Sequence, residues 1–258
     1  MGRPFYGLDA PPVVRNLIVA GALGLALWSL AAIHAWSGTI RLPTGHGGVV
    51  LILAPGGLAI GITCLAMAAW MIWTSRVGKI RERERLLDTI RWSGTERVLD
   101  VGCGRGLLLI GAARRVPRGR AVGIDIWRAA DLAANTPEAL QANARAEGVS
   151  ERITVETADM RKLPFADHSF DVVVSRAAIH NLSAAADRAA AIDEIARVLS
   201  PGGTVLISDI RHLEEYRGRL AERRIPASVE GSRLQRVLLG LVTLGSLRPG
   251  VVRGVRPG

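Results

Sequence analysis

Charged side chains are almost absent from the first part of this chain. Between Arg15 and Arg41, and again between Arg41 and Arg76, there is no aspartate, glutamate, lysine or arginine, whereas the later sequence is rich in charge. A water-soluble surface cannot be built from such a composition, because charged side chains dominate exposed positions. The first 74 residues and the rest of the chain therefore need separate interpretations.

Cysteine is also scarce. The 258 residues include two cysteines, Cys64 within an apolar run and Cys103 within a glycine-rich segment. They do not suggest a disulfide framework, which is consistent with a reducing compartment. So few thiols supply no set of thiolate ligands, and we predict no metal site.

The first part of the chain contains two long apolar runs, residues 17–36 (LIVAGALGLALWSLAAIHAW) and residues 49–73. A transmembrane helix needs about 20 apolar residues, so both runs are long enough to cross a bilayer. A cleaved signal peptide is the alternative for the first run, but its N-terminal region would be unusually long and a second run follows at once. We predict a membrane hairpin over residues 1–74.

The distribution of basic residues orients this hairpin. Arg41 alone lies between the two runs, while basic residues precede the first run and cluster after the second, and positive charge favours the cytoplasmic side. We therefore expect an integral membrane protein with both termini and the following domain in the cytoplasm. The bilayer is the expected partner of the basic residues, and nucleic acid is not expected. Gly57 and Gly61, four residues apart, would also suit pairing of hairpins in a homo-oligomer.

After the hairpin, the sequence alternates between helical and strand-like segments. Residues 75–92 have apolar side chains near helical spacing, which predicts a juxtamembrane helix. Residues 93–258 contain short apolar runs separated by helical segments, which is typical of an α/β domain with a mostly parallel, doubly wound sheet. The predicted strands are residues 97–101, 121–124, 153–157, 171–175 and 204–208.

A glycine-rich turn follows the first of these strands. The segment VLDVGCGRG places Gly102, Gly104 and Gly106 between a strand and a helix, where glycine lets a ligand approach the backbone. Dinucleotide-binding domains use similar turns, but the full dinucleotide fingerprint is absent and Asp100 would repel a pyrophosphate. An acidic residue at this position suits a ligand that carries an ammonium group.

This segment resembles motif I of class I methyltransferases that use S-adenosylmethionine (SAM). The segments GIDIW, ADM, FDVVVSRAAIHNL and RVLSPGGTVLISDI resemble later motifs of that family in the expected order, so the resemblance covers about residues 80–230. It is closest to the branch that includes ubiquinone, menaquinone and sterol methyltransferases. The resemblance implies a Rossmann-like fold after the two transmembrane helices, with SAM as cofactor and S-adenosylhomocysteine as product.

The resemblance also implies a binding site. Asp125 would bind both ribose hydroxyls of SAM, Asp159 would accept the adenine amine, and Met160 would lie at the adenine ring. The predicted cofactor-binding residues are Asp100, Gly102, Cys103, Gly104, Gly106, Asp125, Ile126, Trp127, Asp159, Met160, Ser175 and Arg176.

Several of these residues have a structural alternative. Asp100 could cap the glycine turn, and Cys103 could be a small packed side chain. Trp127 could stack on adenine or fill a gap beside the sheet. Arg176 could meet an acidic acceptor or the SAM carboxylate, or lie on the surface.

His180, just beyond the fourth strand, is the candidate catalytic residue. Methyl transfer needs a base only if the acceptor must first lose a proton, and the ordinary pKa of histidine suits that role. The alternative is that His180 packs or caps in its loop.

The last distinctive feature is an apolar segment at residues 233–248, LQRVLLGLVTLGSL between two arginines. It is too short to span a bilayer and suits a lid, an interfacial segment or a cover for the sheet edge. Together these patterns predict a membrane-anchored methyltransferase for a small, hydrophobic or lipid-like acceptor at the cytoplasmic face. A dehydrogenase, a SAM-binding protein without turnover, and a methyltransferase of a soluble small molecule are the alternatives.

Overall fold

The structure is a computed structural model that describes residues 4–8, 11–34, 37, 39–44, 47–52, 54–128, 135–231 and 249–258. These residues divide into two compact units. One unit is Gly7–Lys79, and the other combines Met1–Tyr6 with Ile80–Gly258. The predicted apolar segment at residues 233–248 lies outside the described residues.

The smaller unit is a pair of apolar helices joined by a β-hairpin. Helix α1 is Pro11–Ala32, strands β1 and β2 are Thr39–Thr44 and Gly47–Ile52, and helix α2 is Ala54–Trp73. The strands pair antiparallel. Both helices are long and apolar enough to cross a membrane, a criterion that the core helix of a soluble protein can also meet.

The two helices approach each other closely at glycines. A Cβ atom built on Gly24 would lie 2.6 Å from the carbonyl oxygen of Gly57, and one on Gly61 would lie 2.8 Å from the side chain of Leu25. Side chains at these positions would push the helices apart. The Gly57–Gly61 face, which the sequence offered for pairing between copies, therefore contacts α1 of the same chain.

The predicted boundaries of the apolar helices need correction. The second run does not become helical at residue 49, because Gly47–Ile52 forms β2 and the helix begins at Ala54. Its β-branched residues favour an extended chain, and Pro55, which has no N–H to leave unsatisfied, suits the first turn of a helix. The first helix, predicted at residues 17–36, begins at Pro11 and ends at Ala32.

The helix predicted at residues 75–92 is shorter than expected. A π-helical turn occupies Thr74–Gly78, and helix α3 is Lys79–Leu87. The indole N–H of Trp92 donates to the carbonyl oxygen of Leu87 at 2.8 Å, so a side chain satisfies a backbone group that a longer helix would have used.

The larger unit contains a seven-stranded sheet in the order β5-β4-β3-β6-β7-β9-β8. Five strands run parallel, and the last two pair antiparallel at one edge. The predicted mostly parallel sheet is confirmed. The strands are β3 Arg97–Val101, β4 Arg120–Asp125, β5 Ile153–Thr157, β6 Phe170–Arg176, β7 Leu199–Asp209, β8 Ala227–Glu230 and β9 Gly250–Val255.

Helices cover both faces of this sheet. One apolar layer includes side chains of α3, α4 and α5, and the other includes side chains of α6 and α7. Because parallel strands share their direction, the carboxyl ends of β3, β4, β5, β6 and β7 lie side by side along one edge of the sheet, the edge that runs across the strand ends. The helices are α4 Leu107–Arg115, α5 Pro137–Ala146, α6 Ala185–Val198 and α7 Leu213–Glu222.

Candidate functional site

The glycine turn joins the carboxyl end of β3 to the start of α4. The backbone N–H groups of Gly102 and Cys103 both donate to the carbonyl oxygen of Ile124, each at 2.9 Å, which ties the turn to β4. Gly106 has φ of +83° directly before α4. The turn thus lies at the sheet edge where α/β folds bind ligands.

Gly102 cannot be replaced by a larger residue without movement of its surroundings. Its φ is +72°, and a Cβ atom there would lie 2.3 Å from the Cβ of Ala178 and 3.5 Å from the terminal methyl of Met160. Met160 is therefore beside the turn, where the resemblance would have it contact adenine. The positive φ and the close contact with Ala178 explain the need for glycine at this position, and approach of a ligand to the backbone stays a prediction.

Asp100 lies beneath the turn. Its carboxylate is buried and accepts the N–H of Leu109 in the first turns of α4 at 2.8 Å. Burial, with a smaller contribution from the negative charge of Asp125, raises the pKa of Asp100 to about 7, although this hydrogen bond opposes the shift. The hydrogen bond supports the helix-capping alternative, and contact with a bound ammonium group stays a prediction.

Cys103 is buried within the apolar layer that contains α4. Burial raises the pKa of its thiol well above the ordinary value, so the side chain stays protonated and unreactive. Cys103 can contribute its backbone to a ligand site while its side chain packs.

Asp125 ends β4 and faces the glycine turn. One carboxylate oxygen accepts the N–H of Gly104 at 2.8 Å, and the other accepts the N–H of Trp127 at 2.7 Å and the side-chain amide of Asn135 at 3.1 Å. These contacts hold the carboxylate beside the turn. The role of Asn135 was not predicted, and no local pattern singles it out.

Trp127 and Ile126 extend beyond the end of β4. Trp127 has φ of +56°, and its indole N–H donates to the hydroxyl of Thr157 at 2.8 Å. Its ring packs against the apolar layer beside the sheet, while Ile126 is exposed. The described contacts thus include the packing role, and stacking on adenine stays a prediction.

Asp159 follows β5 and forms an ion pair. Arg161 donates from Nε and Nη2 to its carboxylate, with a shortest distance of 2.6 Å, and also contacts Asp187 at 3.2 Å. The guanidinium lowers the pKa of Asp159. An adenine amine bound by Asp159 would therefore share the carboxylate with Arg161, which the sequence had not indicated.

Ser175 and Arg176 lie at the carboxyl end of β6 but point to different partners. The buried hydroxyl of Ser175 donates to the carbonyl oxygen of Val101 at 2.8 Å and joins β6 to β3. The Arg176 guanidinium pairs with Glu82 of α3 at 2.7 Å. Neither the pairing nor Glu82 itself was predicted.

His180 lies in a short 3-10 turn, Ile179–Asn181, and is paired with Asp209 at the end of β7. Its Nδ1 is 2.5 Å from one Asp209 oxygen, and its backbone N–H donates to the other at 3.1 Å. The buried Tyr216 hydroxyl also donates to Asp209, at 3.3 Å. A carboxylate accepts from Nδ1, so Nε2 is the nitrogen that can take up a proton.

A cavity of about 210 Å³ opens beside Asp209. Its walls include Asp209, the Arg176–Glu82 ion pair, and residues at the end of β8 and the start of β9. It lies at the same sheet edge as the glycine turn. The structure thus brings the predicted residues at the ends of β3, β4, β5 and β6 to one edge. It also shows four partners of these residues that were not predicted: Asn135, Arg161, Glu82 and Asp209.

Comparison with known proteins shows what the larger unit is similar to. Residues 99–207 match the family described as "Methyltransferase domain". The methyltransferase GfsG of Streptomyces halstedii is 36% identical over 130 residues, which are 50% of this chain and 43% of that protein. The C-methyltransferase UbiE of ubiquinone and menaquinone biosynthesis from Geobacter sulfurreducens is 35% identical over 133 residues, 49% of this chain and 46% of that protein.

The fold of the larger unit is similar to that of a solved structure. The crystal structure of YcgJ from Bacillus subtilis superposes with a TM-score of 0.54 at 17% identity, covering 69% of this chain and 99% of that one. The chain spans less than half the length of the two relatives named above. Residues 99–207 of the larger unit are therefore similar to a methyltransferase domain, and the unit has the fold of YcgJ.

Proposed function

We propose that the chain is a SAM-dependent methyltransferase that acts at a membrane surface. The observation that carries the proposal is the Asp125 carboxylate, which is held within hydrogen-bond distance of Gly104 in the glycine turn. SAM supplies a methyl group that its sulfonium makes electrophilic. The protein has to bind SAM, orient the acceptor and exclude water.

Each element of the turn has a role in binding SAM. Three internal hydrogen bonds leave Asp125 about one free lone-pair site, which accepts one ribose hydroxyl, and the second hydroxyl takes the place of the Asn135 amide, the longest of the three contacts. Gly102 allows the turn to pack closely against Ala178, and Met160 beside it offers an apolar surface to adenine. Asp100 contributes a charge for the ammonium group once its proton has left.

We assign the acceptor to the cavity that Asp209 lines, because Asp209 is the partner of His180. The Nδ1 contact with Asp209 holds the imidazole in one tautomer and stabilises the imidazolium, so Nε2 can remove a proton from an acceptor oxygen or carbon acid. The cavity volume of about 210 Å³ suits a ring or a polar head and not a whole lipid.

The affinity for SAM is expected to increase about tenfold between pH 6 and pH 8. Because the pKa of Asp100 is about 7, the carboxyl is mostly protonated at pH 6, and binding a cation there must release that proton. The release costs free energy below pH 7 and nothing above it, so affinity rises with pH through this window. Titration calorimetry at several pH values measures the effect.

Asp100→Asn is the control for this pH dependence. The variant keeps an oxygen that can accept the Leu109 N–H but has no proton to release, so its SAM affinity should be flat between pH 6 and pH 8. Equal pH profiles for both proteins would show that Asp100 only caps α4.

The membrane attachment rests on the exposed apolar surface of α1 and α2. Only 17% of the most apolar stretch of each helix is buried, whereas the core helix of a soluble protein is mostly buried. Ile18, Leu23, Ile62 and Trp70 are among the exposed side chains. Such a surface is unfavourable in water and favourable in lipid, and the basic residues after α2 would orient the domain to the cytoplasmic side.

The chain should therefore remain in the membrane fraction after washing with alkaline carbonate. Protease added outside sealed cells should leave the larger unit intact, because that unit faces the cytoplasm. Release by carbonate would contradict the membrane attachment, and digestion in intact cells would contradict the orientation alone.

We further propose a hydrophobic or lipid-like acceptor. UbiE is named for ubiquinone and menaquinone biosynthesis, and the apolar helices would keep this chain at a bilayer. Two spans anchor a domain more durably than one acyl chain. Apolar molecules concentrated in a bilayer are the acceptors that such anchoring favours.

Incubating the full chain and methyl-labelled SAM with lipid and aqueous fractions of the same cells tests this acceptor class. Label should enter lipid-extractable products and only in the presence of the lipid fraction. Label confined to water-soluble products would identify a soluble acceptor. SAM binding without label transfer to either fraction would identify a SAM-binding protein without turnover.

A further inference from the structure

Residues 4–6, which precede α1, belong to the methyltransferase unit and pack on α5. The backbone N–H of Phe5 donates to the Asn143 side-chain oxygen at 2.8 Å, and the Asn143 amide donates back to the Phe5 carbonyl oxygen at 3.1 Å. One side chain thus satisfies both backbone groups of one residue, as a neighbouring strand would.

The same asparagine also contacts the glycine turn. The buried Asn143 amide donates to the carbonyl oxygen of Arg105, the residue between Gly104 and Gly106, at 3.0 Å. The Arg105 guanidinium in turn lies 4.8 Å from the centre of the Phe5 ring, within the range of a cation–π contact. Phe5 therefore reaches the turn by two routes, through Asn143 and through Arg105.

Tyr6 fastens this segment independently of the turn. Its hydroxyl contacts Glu147, and Arg83 donates to that hydroxyl at 3.1 Å and to Glu147 at 2.7 Å. Tyr6, Arg83 and Glu147 are nearly or fully buried. Burial and the adjacent carboxylate raise the pKa of the phenol, so Tyr6 remains a neutral donor. None of these three residues belongs to the glycine turn.

We propose that residues 4–6 form a positioning strap that holds the SAM-binding turn in its binding-competent conformation. Phe5 is the positioning residue and acts through Asn143 and Arg105. Tyr6 and its ion pair anchor the strap to α3 and α5. The inference rests on the proposed role of the turn in SAM binding and assigns part of that role to a segment outside residues 99–207.

The size of the effect follows from the contacts. A cation–π contact at a partly exposed site corresponds to about a two- to fivefold change in an equilibrium constant, so Phe5→Ala should weaken SAM binding by that factor. Phe5→Trp keeps an aromatic face and should restore the affinity. Asn143→Ala leaves the Arg105 carbonyl without this donor and should weaken SAM binding about tenfold.

The experiment compares these variants with Asp193→Ala in the full chain, since Asp193 pairs with Arg219 and Arg223 and has no contact with the strap or the turn among the described residues. Asp193→Ala removes these ion pairs and should lower the melting temperature while the Kd for SAM stays at the wild-type value. Phe5→Ala should do the reverse, with a raised Kd and a small change in melting temperature. If the strap only stabilises the fold, each variant should raise the Kd for SAM in proportion to its loss of melting temperature, and this result would contradict the proposal.

Hydrogen exchange without ligand gives a second measurement. The Gly104 and Gly106 amides are hydrogen-bonded, to Asp125 and to Cys103, and should exchange faster in Phe5→Ala than in Asp193→Ala. Unchanged exchange at both glycines together with unchanged Kd would overturn the strap. Failure of the unaltered protein to bind SAM would overturn the proposed function, and the exchange comparison would still decide whether the strap holds the turn.

Discussion

Replacing Asp125 with alanine should weaken the binding of SAM and S-adenosylhomocysteine by at least about 100-fold. Each charge-assisted hydrogen bond from a ribose hydroxyl to a carboxylate contributes about 1.5–3 kcal/mol, and the variant loses two of them. It also removes the acceptor of the Gly104 and Trp127 N–H groups, so the turn loses its support. Titration calorimetry on the purified protein measures the change in Kd.

Asp171→Ala is the matched control. Asp171 also accepts a backbone N–H, that of Arg97, at 2.8 Å, but it lies at the start of β6 and hence at the opposite edge of the sheet. Its loss should leave the affinity for SAM unchanged. Unchanged affinity in Asp125→Ala, or tighter binding of NAD than of SAM by the unaltered chain, would refute the assigned cofactor site.

Replacing His180 with alanine should lower kcat by about 10²- to 10⁴-fold with a labelled acceptor that needs deprotonation, and leave the Kd for SAM unchanged. A general base acts on the acceptor proton and not on SAM, so catalysis and cofactor binding should separate. Asp209→Asn should lower kcat less, because the imidazole stays in place but loses the charge that stabilises its protonated form. Single-turnover assays with saturating SAM isolate the chemical step.

His168→Asn is a suitable control for this pair. His168 has φ of +57°, which asparagine tolerates, and its Nδ1 contacts the carbonyl oxygen of Leu199 at the opposite edge of the sheet. The His168→Asn variant should keep the wild-type kcat. Full turnover in His180→Ala would show that the acceptor needs no base from this residue, and the packing alternative for His180 would stand.

The parts of the fold that were predictable are those that depend on neighbouring residues. The five parallel strands follow from short apolar runs, and the glycine turn follows from a strand, three glycines and a helix in immediate succession. Asp125 was predictable as a site residue because it ends the next strand, and a strand end meets the turn wherever the sheet is parallel.

The helix boundaries in the smaller unit could not be predicted from apolarity alone. A run of apolar residues can be a strand or a helix, and the start of the second run, Val49–Ile52 in the sequence, became part of β2 because it pairs with β1. Pairing between two segments is a tertiary contact. Composition carries no information about it.

The sequence by itself determined the class of the fold, the place of the SAM-binding turn and His180 as a candidate base. Only the tertiary structure decided which partners hold these groups: Asp209 on His180, Glu82 on Arg176, and Asn143 between Phe5 and Arg105. Those partners lie 29, 94 and up to 138 residues away along the chain. Local periodicity in the sequence determines the helices and strands. The order of the strands and the packing of the helices bring distant side chains together at one edge of the sheet. Strand order and helix packing depend on how the whole domain buries its apolar side chains, which no local pattern specifies.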